Sequence, residues 1–417
     1  MSTDNIIING ARDVRELTVL LPASKSLSAR ALLISALTEG GTMPIGIARC
    51  DDTDALRRGL NVTGGTIDVG AAGTAMRFLT AYHAVSERHD VVIDGTERMR
   101  QRPIGVLVDA LRSAGCSVDY LGVEGFPPVR VKGRKLSGID VAMRGDVSSQ
   151  YVSAMMMIAP CCGGGTLRLT TTLTSRPYVE MTAALMRHYG AEVTVADDAI
   201  SVGTAMYTPR EYAIEPDWSA AGYWLAVAAL MPGMRVTLPG LSTCSLQGDA
   251  RLVQVMSSLG VTTSDNGTMV VAEHSNAPQC ACPLAIDLAD MPDAAQTIVV
   301  TACLLGRRFN ITGLGTLRIK ETDRLQALCD ELRKVGSILH ATTDSISWDG
   351  ARSEPLTTAV IDTYKDHRMA MSMSLTGLRR RGIVITDAGV VSKSYPDYWD
   401  EFARVANVAP YHQANMG

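Results

Sequence analysis

The sequence predicts an α/β protein built from repeated units of about 70 residues. Four times, a short β-branched segment is followed by a polar turn and then by an amphipathic helix that ends on a glycine. The closing glycines are Gly115, Gly190, Gly260 and Gly336, which lie 75, 70 and 76 residues apart. A period of this length exceeds that of solenoid repeats and fits a βαβ unit with additional strands.

Each of the four predicted helices has an apolar stripe and recognisable ends. In the helix that ends at Gly336, Leu325, Leu328, Leu332 and Val335 recur at helical spacing and share one face. Proline near a helix start and glycine just beyond its end are typical of helix termini. The four starts are Arg102-Pro103, Arg176-Pro177, Gln247-Gly248-Asp249 and Glu321-Thr322-Asp323-Arg324.

Strands of similar sequence accompany these helices, and two weaker copies complete the series. The weaker copies run from Met43 to Gly59 and from Ser392 to Val408, so six units would account for the 417 residues. Helix N-termini attract anions, and their repetition therefore indicates an anionic ligand. Plain α/β packing without a site would give the same pattern. The predicted strands are Val91-Val92-Ile93, Arg235-Val236-Thr237-Leu238, Asn310-Ile311-Thr312 and Val384-Ile385-Thr386.

Composition and length indicate a globular protein and argue against other classes. Hydrophobic residues make up 46% of the chain and charged residues 20%, as in ordinary folded domains, and the length allows two or three domains. The net charge of −4 argues against general nucleic-acid binding, so an anion site requires a local concentration of cations. The apolar stretches from Tyr151 to Ala159 and from Tyr223 to Met231 are too short to span a bilayer, and the N-terminus lacks a signal-peptide pattern.

The nine cysteines predict free thiols. Neither Cys161-Cys162 nor Cys280-x-Cys282 has the spacing of zinc ligands, and no pair of histidines accompanies them. We expect reduced, mostly buried thiols in a cytoplasmic protein.

Three segments in the first half of the chain could bind an anion. The segment from Ser24 to Arg30 opens a helix and carries Lys25 and Arg30 in its first turns, where cations oppose the helix dipole. An anion between the two cations would explain them, as would plain solvation. The small residues of 70–77 could admit a ligand close to the backbone or form an ordinary tight turn. Arg102, directly before a helix, could reach a bound anion.

Polar groups lie at three further helix starts. Ser148, Ser149 and Gln150 supply two hydroxyls and an amide, and Ser175 precedes another helix. These groups could bind an oxyanion or simply cap the helices. Asp293 is a cap by default and a base only if it faces the site.

Two charged segments in the second half combine carboxylates with cations. Lys320, Glu321 and Arg324 offer an acid or base together with a bidentate anion clamp. As structure alone they would form an i, i+4 charge network worth about 0.2–0.5 kcal/mol per pair. Asp366 and Arg368 flank a histidine ahead of a methionine-rich helix.

Together these segments resemble the 5-enolpyruvylshikimate-3-phosphate synthase family, in the family's order and almost from end to end. The resemblance implies two inside-out α/β prism domains, each of three βαβαββ units, around a cleft that holds the active site. The domains would be residues 23–215, and residues 1–22 together with 216–417. The segments that carry the resemblance are Ser-Lys-Ser-x-Ser-x-Arg at 24–30, Ala-Gly-Thr-Ala-Met-Arg at 72–77, Arg-Pro-Ile-Gly at 102–105, Ser-Ser-Gln at 148–150, Lys-Glu-Thr-Asp-Arg at 320–324 and Asp-His-Arg-Met-Ala-Met at 366–371.

The resemblance also implies a reaction of the shikimate pathway, which leads to chorismate and the aromatic amino acids. The enolpyruvyl group of phosphoenolpyruvate would pass to the 5-hydroxyl of shikimate 3-phosphate, with release of phosphate. C3 of phosphoenolpyruvate must be protonated while the 5-hydroxyl oxygen of shikimate 3-phosphate attacks C2. The site therefore needs an acid, a base and groups that stabilise anions. No metal or organic cofactor is implied. The protein would be a cytoplasmic monomer that binds neither nucleic acid nor membrane, and glyphosate would compete with phosphoenolpyruvate.

Matching positions imply a role for each site residue. Asp293 would be the base for the 5-hydroxyl, and Lys25 and Glu321 would handle proton transfer at C3. The residues implied for shikimate 3-phosphate are Lys25, Ser26, Arg30, Ser148, Ser149, Gln150, Ser175, Asp293 and Lys320. The residues implied for phosphoenolpyruvate are Lys25, Gly73, Arg102, Gln150, Arg324, Arg368 and Lys393.

Three positions depart from the family's common pattern. Ala71 and Thr316 stand where many members have Asn, and Phe78 stands where Pro is usual. The loss of two amide side chains could weaken ligand contacts, or backbone groups and water could replace them.

Two other functions are compatible with this type of chain. The enolpyruvyl transferase that acts on UDP-N-acetylglucosamine shares the fold, but usually carries a Cys in the loop before its Arg-Pro helix, and Val91 to Gln101 contain none. A non-catalytic anion-binding protein could use the same repeat. The combination of Lys25, Asp293, Glu321 and Arg368 argues against it.

Overall fold

The computed structural model describes residues 5–275 and 282–411, so Cys280 of the Cys280-x-Cys282 pair lies outside the described residues. The chain divides into two compact units. Unit 1 comprises Met1–Pro22, Pro216–Ser245 and Asp249–Gly417, and unit 2 comprises Ala23–Glu215 and Leu246–Gly248.

The strands are short, and most alternate between buried and exposed residues. In chain order they are β1 (Ile6–Ala11), β2 (Glu16–Thr18), β3 (Gly64–Asp68), β4 (Asp90–Asp94), β5 (Ser117–Tyr120), β6 (Val129–Lys132), β7 (Ile139–Met143), β8 (Gly165–Leu169), β9 (Val193–Val195), β10 (Ala199–Val202), β11 (Arg235–Pro239), β12 (Val261–Asp265), β13 (Met269–His274), β14 (Leu284–Asp287), β15 (Phe309–Thr312), β16 (His340–Ala341), β17 (Ile346–Trp348), β18 (Ala359–Ile361), β19 (Ile383–Ile385) and β20 (Ala406–Pro410).

The helices connect these strands. They are α1 (Lys25–Leu37), α2 (Asp51–Leu60), α3 (Gly73–Val85), α4 (Glu97–Arg100), α5 (Gly105–Ser113), α6 (Ser149–Ile158), α7 (Arg176–His188), α8 (Trp218–Leu230), α9 (Leu252–Ser257), α10 (Ala295–Leu304), α11 (Arg324–Lys334), α12 (His367–Ser374) and α13 (Tyr398–Phe402). Short 3₁₀ helices span Ala159–Cys162, Gly248–Arg251, Pro292–Ala294, Gly315–Ile319, Leu375–Leu378 and Ala388–Lys393.

The described residues form five four-stranded sheets with the same arrangement of strands, which confirms the predicted α/β fold. Unit 1 contains β2-β11-β13-β12, β14-β15-β17-β16 and β18-β19-β1-β20, and unit 2 contains β3-β4-β6-β5 and β7-β8-β10-β9. In every sheet the first two strands are parallel and the other pairings are antiparallel. In four of these sheets a crossover helix joins the parallel pair: α3 joins β3 to β4, α6 joins β7 to β8, α10 joins β14 to β15, and α12 joins β18 to β19. The chain between β2 and β11 passes instead through unit 2, and β1 completes the sheet of β18, β19 and β20.

A sixth unit, in unit 2, contains far less strand. There a single isolated parallel bridge pairs Ile45 with Ala213. The sequence before Ile45 contains Gly40, Gly41 and Pro44, residues that weaken a strand. The predicted copy from Met43 to Gly59 therefore keeps its helix, α2, while its strand is reduced to one bridge.

The glycines that the repeat singled out end their helices in the left-handed conformation. Gly115, Gly190, Gly260 and Gly336 have φ values of +97°, +93°, +86° and +100°, a region that suits glycine. Gly59 differs, because it lies inside α2, where a Cβ would come within 2.4 Å of Leu79. Helix α9 begins at Leu252, after a 3₁₀ turn that occupies the predicted start at 247–249.

Each unit is organised around buried helices. In unit 2, α6 is buried along almost its whole length and packs against α1, α3, α5 and α7. In unit 1, α8 has the same character; α10 packs beside α8, and α12 packs against α10. Methionines contribute to both cores: Met155, Met156 and Met157 in α6, and Met369 and Met371 in α12, are all buried.

Two further sequence expectations concern the membrane and the cysteines. Within 5–275 and 282–411, no helix has the length and hydropathy to cross a bilayer. The eight cysteines of the described chain are all free thiols. Four of them are buried, two are partly buried, and Cys244 and Cys282 are exposed, so burial is less general than expected.

Candidate active site

Arg324 is the centre of an ionic network in unit 1. It is the first residue of α11 and is only 2% exposed. Its guanidinium donates to Asp366 from Nε at 2.7 Å, to Asp293 from Nη1 at 2.9 Å and to Glu321 from Nη2 at 3.0 Å. One buried cation therefore fixes three carboxylates that come from separate segments of the chain.

Asp293 accepts from more than one cation. Lys320 Nζ lies 3.4 Å from its Oδ1, and Arg368 Nη2 lies 3.5 Å from its Oδ2. Burial by itself would raise the pKa of Asp293, but the charges of Lys320, Arg368 and Arg324 outweigh it and hold the pKa well below its usual range. Asp293 is therefore ionised at neutral pH and is not the N-cap of α10, the default role for its position.

The other two carboxylates of the network have different functions. Glu321 also accepts from Lys393 Nζ, which brings the 3₁₀ helix at Ala388–Lys393 to the network. Asp366 is fully buried and is the N-cap of α12, where it accepts from the backbone N–H of Arg368 at 2.9 Å. It therefore orients Arg324 and starts the helix that carries Arg368.

Arg368 is held by a second set of contacts. Its Nη1 donates to the backbone carbonyl of Asp293 at 3.1 Å, and its Nη2 donates to Ser219 Oγ at 3.2 Å. The Ser219 hydroxyl in turn donates to Asp249, a carboxylate that is 3% exposed. Helices α8, α10, α11 and α12 thus all begin within this one network.

The turn before α12 is strained. Tyr364 and Lys365 both adopt positive φ, at +53° and +56°, a conformation that non-glycine residues avoid. The Tyr364 hydroxyl donates to the buried Glu331 at 2.8 Å, which anchors the turn to α11. Strain of this kind persists where the surroundings impose it, and here it precedes Asp366 directly.

In unit 2, helix N-termini also come together. Gln150 Nε2, at the start of α6, donates to Thr74 Oγ1, at the start of α3, over 3.1 Å. Ser148 is the N-cap of α6, and its hydroxyl accepts from the N–H of Gln150 at 3.3 Å. Because the positive ends of the two helix dipoles adjoin, this region favours an anion.

Arg30 ties three helices of unit 2 to one another. From α1 it donates to Thr182 of α7 at 2.6 Å, to Ser153 of α6 at 3.3 Å and to the carbonyl of Ser26 at 3.1 Å. Burial lowers its pKa to about 10, so it stays protonated at neutral pH. Phe78, one of the departures from the family pattern, lies beneath it, with the guanidinium carbon 5.6 Å from the ring centroid. The substitution thus forms a cation–π contact with Arg30.

Lys25 is paired within its own unit. Its ammonium lies 3.3 Å from Asp52 Oδ2, at the start of α2, and Ser24 is the N-cap of α1. Ser26 is partly exposed, and Ser175, at the start of α7, has a positive φ of +54°.

Arg102 lies against the first turn of α3. It is 8% exposed, and a Cβ built on Gly73 would come within 2.6 Å of its Nη1. Arg100, two residues earlier, is instead exposed and paired with Asp94 at 2.5 Å. Of these two arginines, Arg102 is therefore the one that lies next to the small-residue turn of 70–77.

The geometry groups the site residues as follows. Unit 1 brings together Asp293, Lys320, Glu321, Arg324, Arg368 and Lys393. Unit 2 holds Lys25, Ser26, Arg30, Gly73, Arg102, Ser148, Ser149, Gln150 and Ser175 near the starts of α1, α3, α5, α6 and α7. The cations of the first group are matched by carboxylates rather than left for a ligand. Thr316 is another of the positions that depart from the family pattern. Its buried hydroxyl makes no hydrogen bond within the described chain.

Sequence reasoning missed several residues that hold the site. Asp52, Ser219, Asp249 and Tyr151 were not singled out as functional residues, because each acts through a partner that is distant in sequence. Asp52 and Asp249 do lie at helix starts that the repeat marked, which was the available signal.

Comparisons with known proteins concern the family and the fold of the chain. A family model described as EPSP synthase (3-phosphoshikimate 1-carboxyvinyltransferase) matches residues 58–402. A relative from Bacteroides fragilis, named 3-phosphoshikimate 1-carboxyvinyltransferase, is 47% identical over 391 residues, which cover 93% of this chain and 94% of that protein. A relative of the same name from Idiomarina loihiensis is 36% identical over 425 residues, covering 94% and 96%. A solved structure of EPSP synthase from Acinetobacter baumannii has the same fold, with a TM-score of 0.76, 22% identity, and coverage of 98% and 100%.

Proposed function

Because this chain belongs to the EPSP synthase family, we propose that its two groups of charged and polar side chains bind and activate the substrates of that family. The chain is an enolpyruvyl transferase of the shikimate pathway. It transfers the enolpyruvyl group of phosphoenolpyruvate to the 5-hydroxyl of shikimate 3-phosphate and releases phosphate.

The convergence of Lys320, Arg324 and Arg368 on Asp293 carries this proposal. The substrates bring two carboxylates and two phosphate groups, and these bind guanidinium and ammonium groups as protein carboxylates do. Substrate anions would therefore exchange with protein carboxylates as partners of the cations. A network in which carboxylates pair with the cations remains stable without ligand, and the same cations can bind substrate anions when a ligand arrives.

The same exchange would activate Asp293 as the base for the 5-hydroxyl. While three cations surround it, its pKa is held low and it is a weak base. When phosphate and carboxylate groups of the substrates attract those cations, the carboxylate loses part of its electrostatic stabilisation and its basicity increases. The base would thus become effective only when substrate is bound.

Lys25 and Glu321 are proposed to handle the proton transfer to C3 of phosphoenolpyruvate. Glu321 accepts from Arg324 and Lys393, and Lys25 is paired with Asp52, so each is held in one orientation. Lys25 would also contact both substrates. Arg324, Arg368 and Lys393 would bind phosphoenolpyruvate from unit 1.

Unit 2 would supply hydroxyls, amides and helix ends. Ser26, Ser148, Ser149 and Ser175 are proposed for shikimate 3-phosphate, with Gln150 shared between the substrates. Lys320 of unit 1 would also bind shikimate 3-phosphate. Arg30 uses N–H groups on Nε and on both terminal nitrogens for internal bonds, and its remaining N–H groups are those proposed for the ligand. Gly73 and Arg102 are proposed for phosphoenolpyruvate.

The activity is tested by phosphate release from phosphoenolpyruvate with purified protein. Release is expected with shikimate 3-phosphate as acceptor and not with UDP-N-acetylglucosamine. Release with the nucleotide sugar alone, or binding of both substrates without turnover, would overturn the assignment.

The role of Arg102 is tested by a pair of arginine variants. Arg102→Lys removes the fork that binds an anion bidentately and should raise KM for phosphoenolpyruvate by about tenfold or more. Arg100→Lys makes the same change in an exposed ion pair with Asp94 and should leave KM unaltered. Equal effects of the two changes would contradict the proposed role.

We also infer that the protein acts as a monomer in the cytoplasm. Light scattering after gel filtration should give a mass near 44.5 kDa, and a stable oligomer would contradict this.

A further inference from the structure

We propose that the phenol of Tyr151 positions Arg102 for phosphoenolpyruvate by holding the carbonyl of Pro103. Tyr151 is the residue after Gln150 in α6 and is 2% exposed, so it is a positioning residue rather than one that touches substrate. The inference rests on the proposed role of Arg102.

The carbonyl of Pro103 accepts two hydrogen bonds from side chains. Tyr151 Oη donates to it from α6, and Arg77 Nη2 donates to it from α3 at 2.8 Å. Two donors from different helices thus fix one carbonyl, which lies directly after Arg102. Proline has a nearly fixed φ, which holds its carbonyl carbon rigidly to the peptide bond that joins it to Arg102. A displacement of the Pro103 carbonyl group therefore also moves the backbone of Arg102.

Arg77 connects the same carbonyl to the turn beneath the Arg102 guanidinium. Its Nη1 donates to the carbonyl of Gly73 at 3.0 Å. The guanidinium of Arg102 lies so near Gly73 that a Cβ there would come within 2.6 Å of Nη1. The backbone that carries Arg102 and the backbone that its guanidinium covers are therefore tied to each other through Arg77 and Pro103.

Tyr151 completes this arrangement from the third helix. The Arg77 guanidinium carbon lies 6.0 Å from the centroid of the Tyr151 ring, so the phenol also limits the position of Arg77. The neighbouring Gln150 bonds Thr74 in the first turn of α3. The start of α6 thus carries one side chain proposed to contact substrate and one that sets the geometry of Arg102.

The hydroxyl is tested by Tyr151→Phe, which removes one oxygen and keeps the buried ring. Loss of one of two donors to Pro103 should raise KM for phosphoenolpyruvate by about 3- to 10-fold, the usual effect of one hydrogen bond. KM for shikimate 3-phosphate and kcat should be nearly unchanged, because Arg102 contributes binding rather than proton transfer.

Tyr207→Phe is the matched control. Tyr207 is also buried, and its hydroxyl donates to the carbonyl of Met157 at 2.9 Å, in the last turn of the same helix. Both variants should lose some thermal stability. Only Tyr151→Phe should change KM for phosphoenolpyruvate, and an equal change in both variants would mean that Tyr151 is merely structural.

A double variant separates this inference from the role proposed for Arg102. If Tyr151 acts through Arg102, Tyr151→Phe should add little to the KM defect of Arg102→Lys. Full additivity would overturn the inference. If Arg102→Lys has normal KM, the role of Arg102 fails, whereas a defect in Arg102→Lys with normal KM in Tyr151→Phe overturns the inference alone.

Discussion

Asp249 is expected to lower the stability of the folded protein at neutral pH. It is 3% exposed, and its Oδ1 makes no hydrogen bond within the described part of the chain. Burial raises the pKa of Asp249 to about 6, opposed by Arg368 and by the hydrogen bond from Ser219, and reinforced by Asp293 and Asp217. We therefore expect Asp249→Asn to stabilise the protein at pH 8.

The magnitude follows from the difference between the folded pKa, about 6, and the ordinary value of 3.8. At about 1.4 kcal/mol per pKa unit, ionisation of Asp249 costs the folded state about 3 kcal/mol above pH 7. Between the two pKa values the folded state binds more protons than the unfolded state. The free energy of unfolding therefore falls as pH rises through this window. Asn does not ionise, and its Oδ1 can still accept from Ser219.

Urea denaturation at pH 8 and pH 5 measures this effect. The variant should be more stable than the parent at pH 8 by up to about 3 kcal/mol, and this advantage should shrink by about 1.4 kcal/mol at pH 5, where folded Asp249 is largely protonated. A variant that is less stable than the parent by the same margin at both pH values would refute the reasoning.

Asp265→Asn provides a control of opposite sign. Asp265 is exposed and accepts from the hydroxyl and the N–H of Thr243 at 2.7 Å and from the N–H of Gly267 at 2.7 Å. These bonds, chiefly the one from the Thr243 hydroxyl, hold the pKa of Asp265 below its usual range. This variant should lose stability at pH 8, and the loss should diminish as the pH is lowered.

Two further substitutions test backbone strain and close packing. Lys365→Asn should stabilise the protein by about 1 kcal/mol, because Asn tolerates the positive φ of +56° better than Lys does; a lower Tm than that of the parent would contradict this. Gly73→Ala should raise KM for phosphoenolpyruvate by about tenfold or more, because the added Cβ displaces the Arg102 guanidinium. Gly389→Ala, where a Cβ meets no atom within 4 Å, is its control, and a normal KM in Gly73→Ala would show that Arg102 moves without consequence.

The repeat could be predicted from sequence because its signals are local. A helical stripe and a closing glycine depend on neighbouring residues, and Gly115, Gly190, Gly260 and Gly336 all end helices with positive φ. The reduction of the sixth sheet to one bridge was not predicted. It depends on how Gly40, Gly41 and Pro44 affect pairing with a strand that is more than 160 residues away.

The arrangement of the site could be predicted only in part. The motifs drew attention to Lys320, Glu321 and Arg324, and separately to Asp293 and Asp366, but not to the pairing between these residues. Arg324 and Asp366 are 42 residues apart, and their pairing is decided by tertiary packing. The purely structural alternative, an i, i+4 charge network along one helix, is not what forms, because Lys320 follows a 3₁₀ helix and lies outside α11, which begins at Arg324.

The turnover of Asp293→Asn with shikimate 3-phosphate and phosphoenolpyruvate tests the central proposal most directly. Without the base, kcat should fall by about 100-fold or more. Binding of both substrates should persist or tighten, because one carboxylate no longer competes for Lys320, Arg324 and Arg368. Asp290→Asn is the control. Asp290 lies three residues before Asp293 and forms an exposed ion pair with Arg251, so this variant should behave like the parent. A normal kcat in Asp293→Asn would contradict its role as the base.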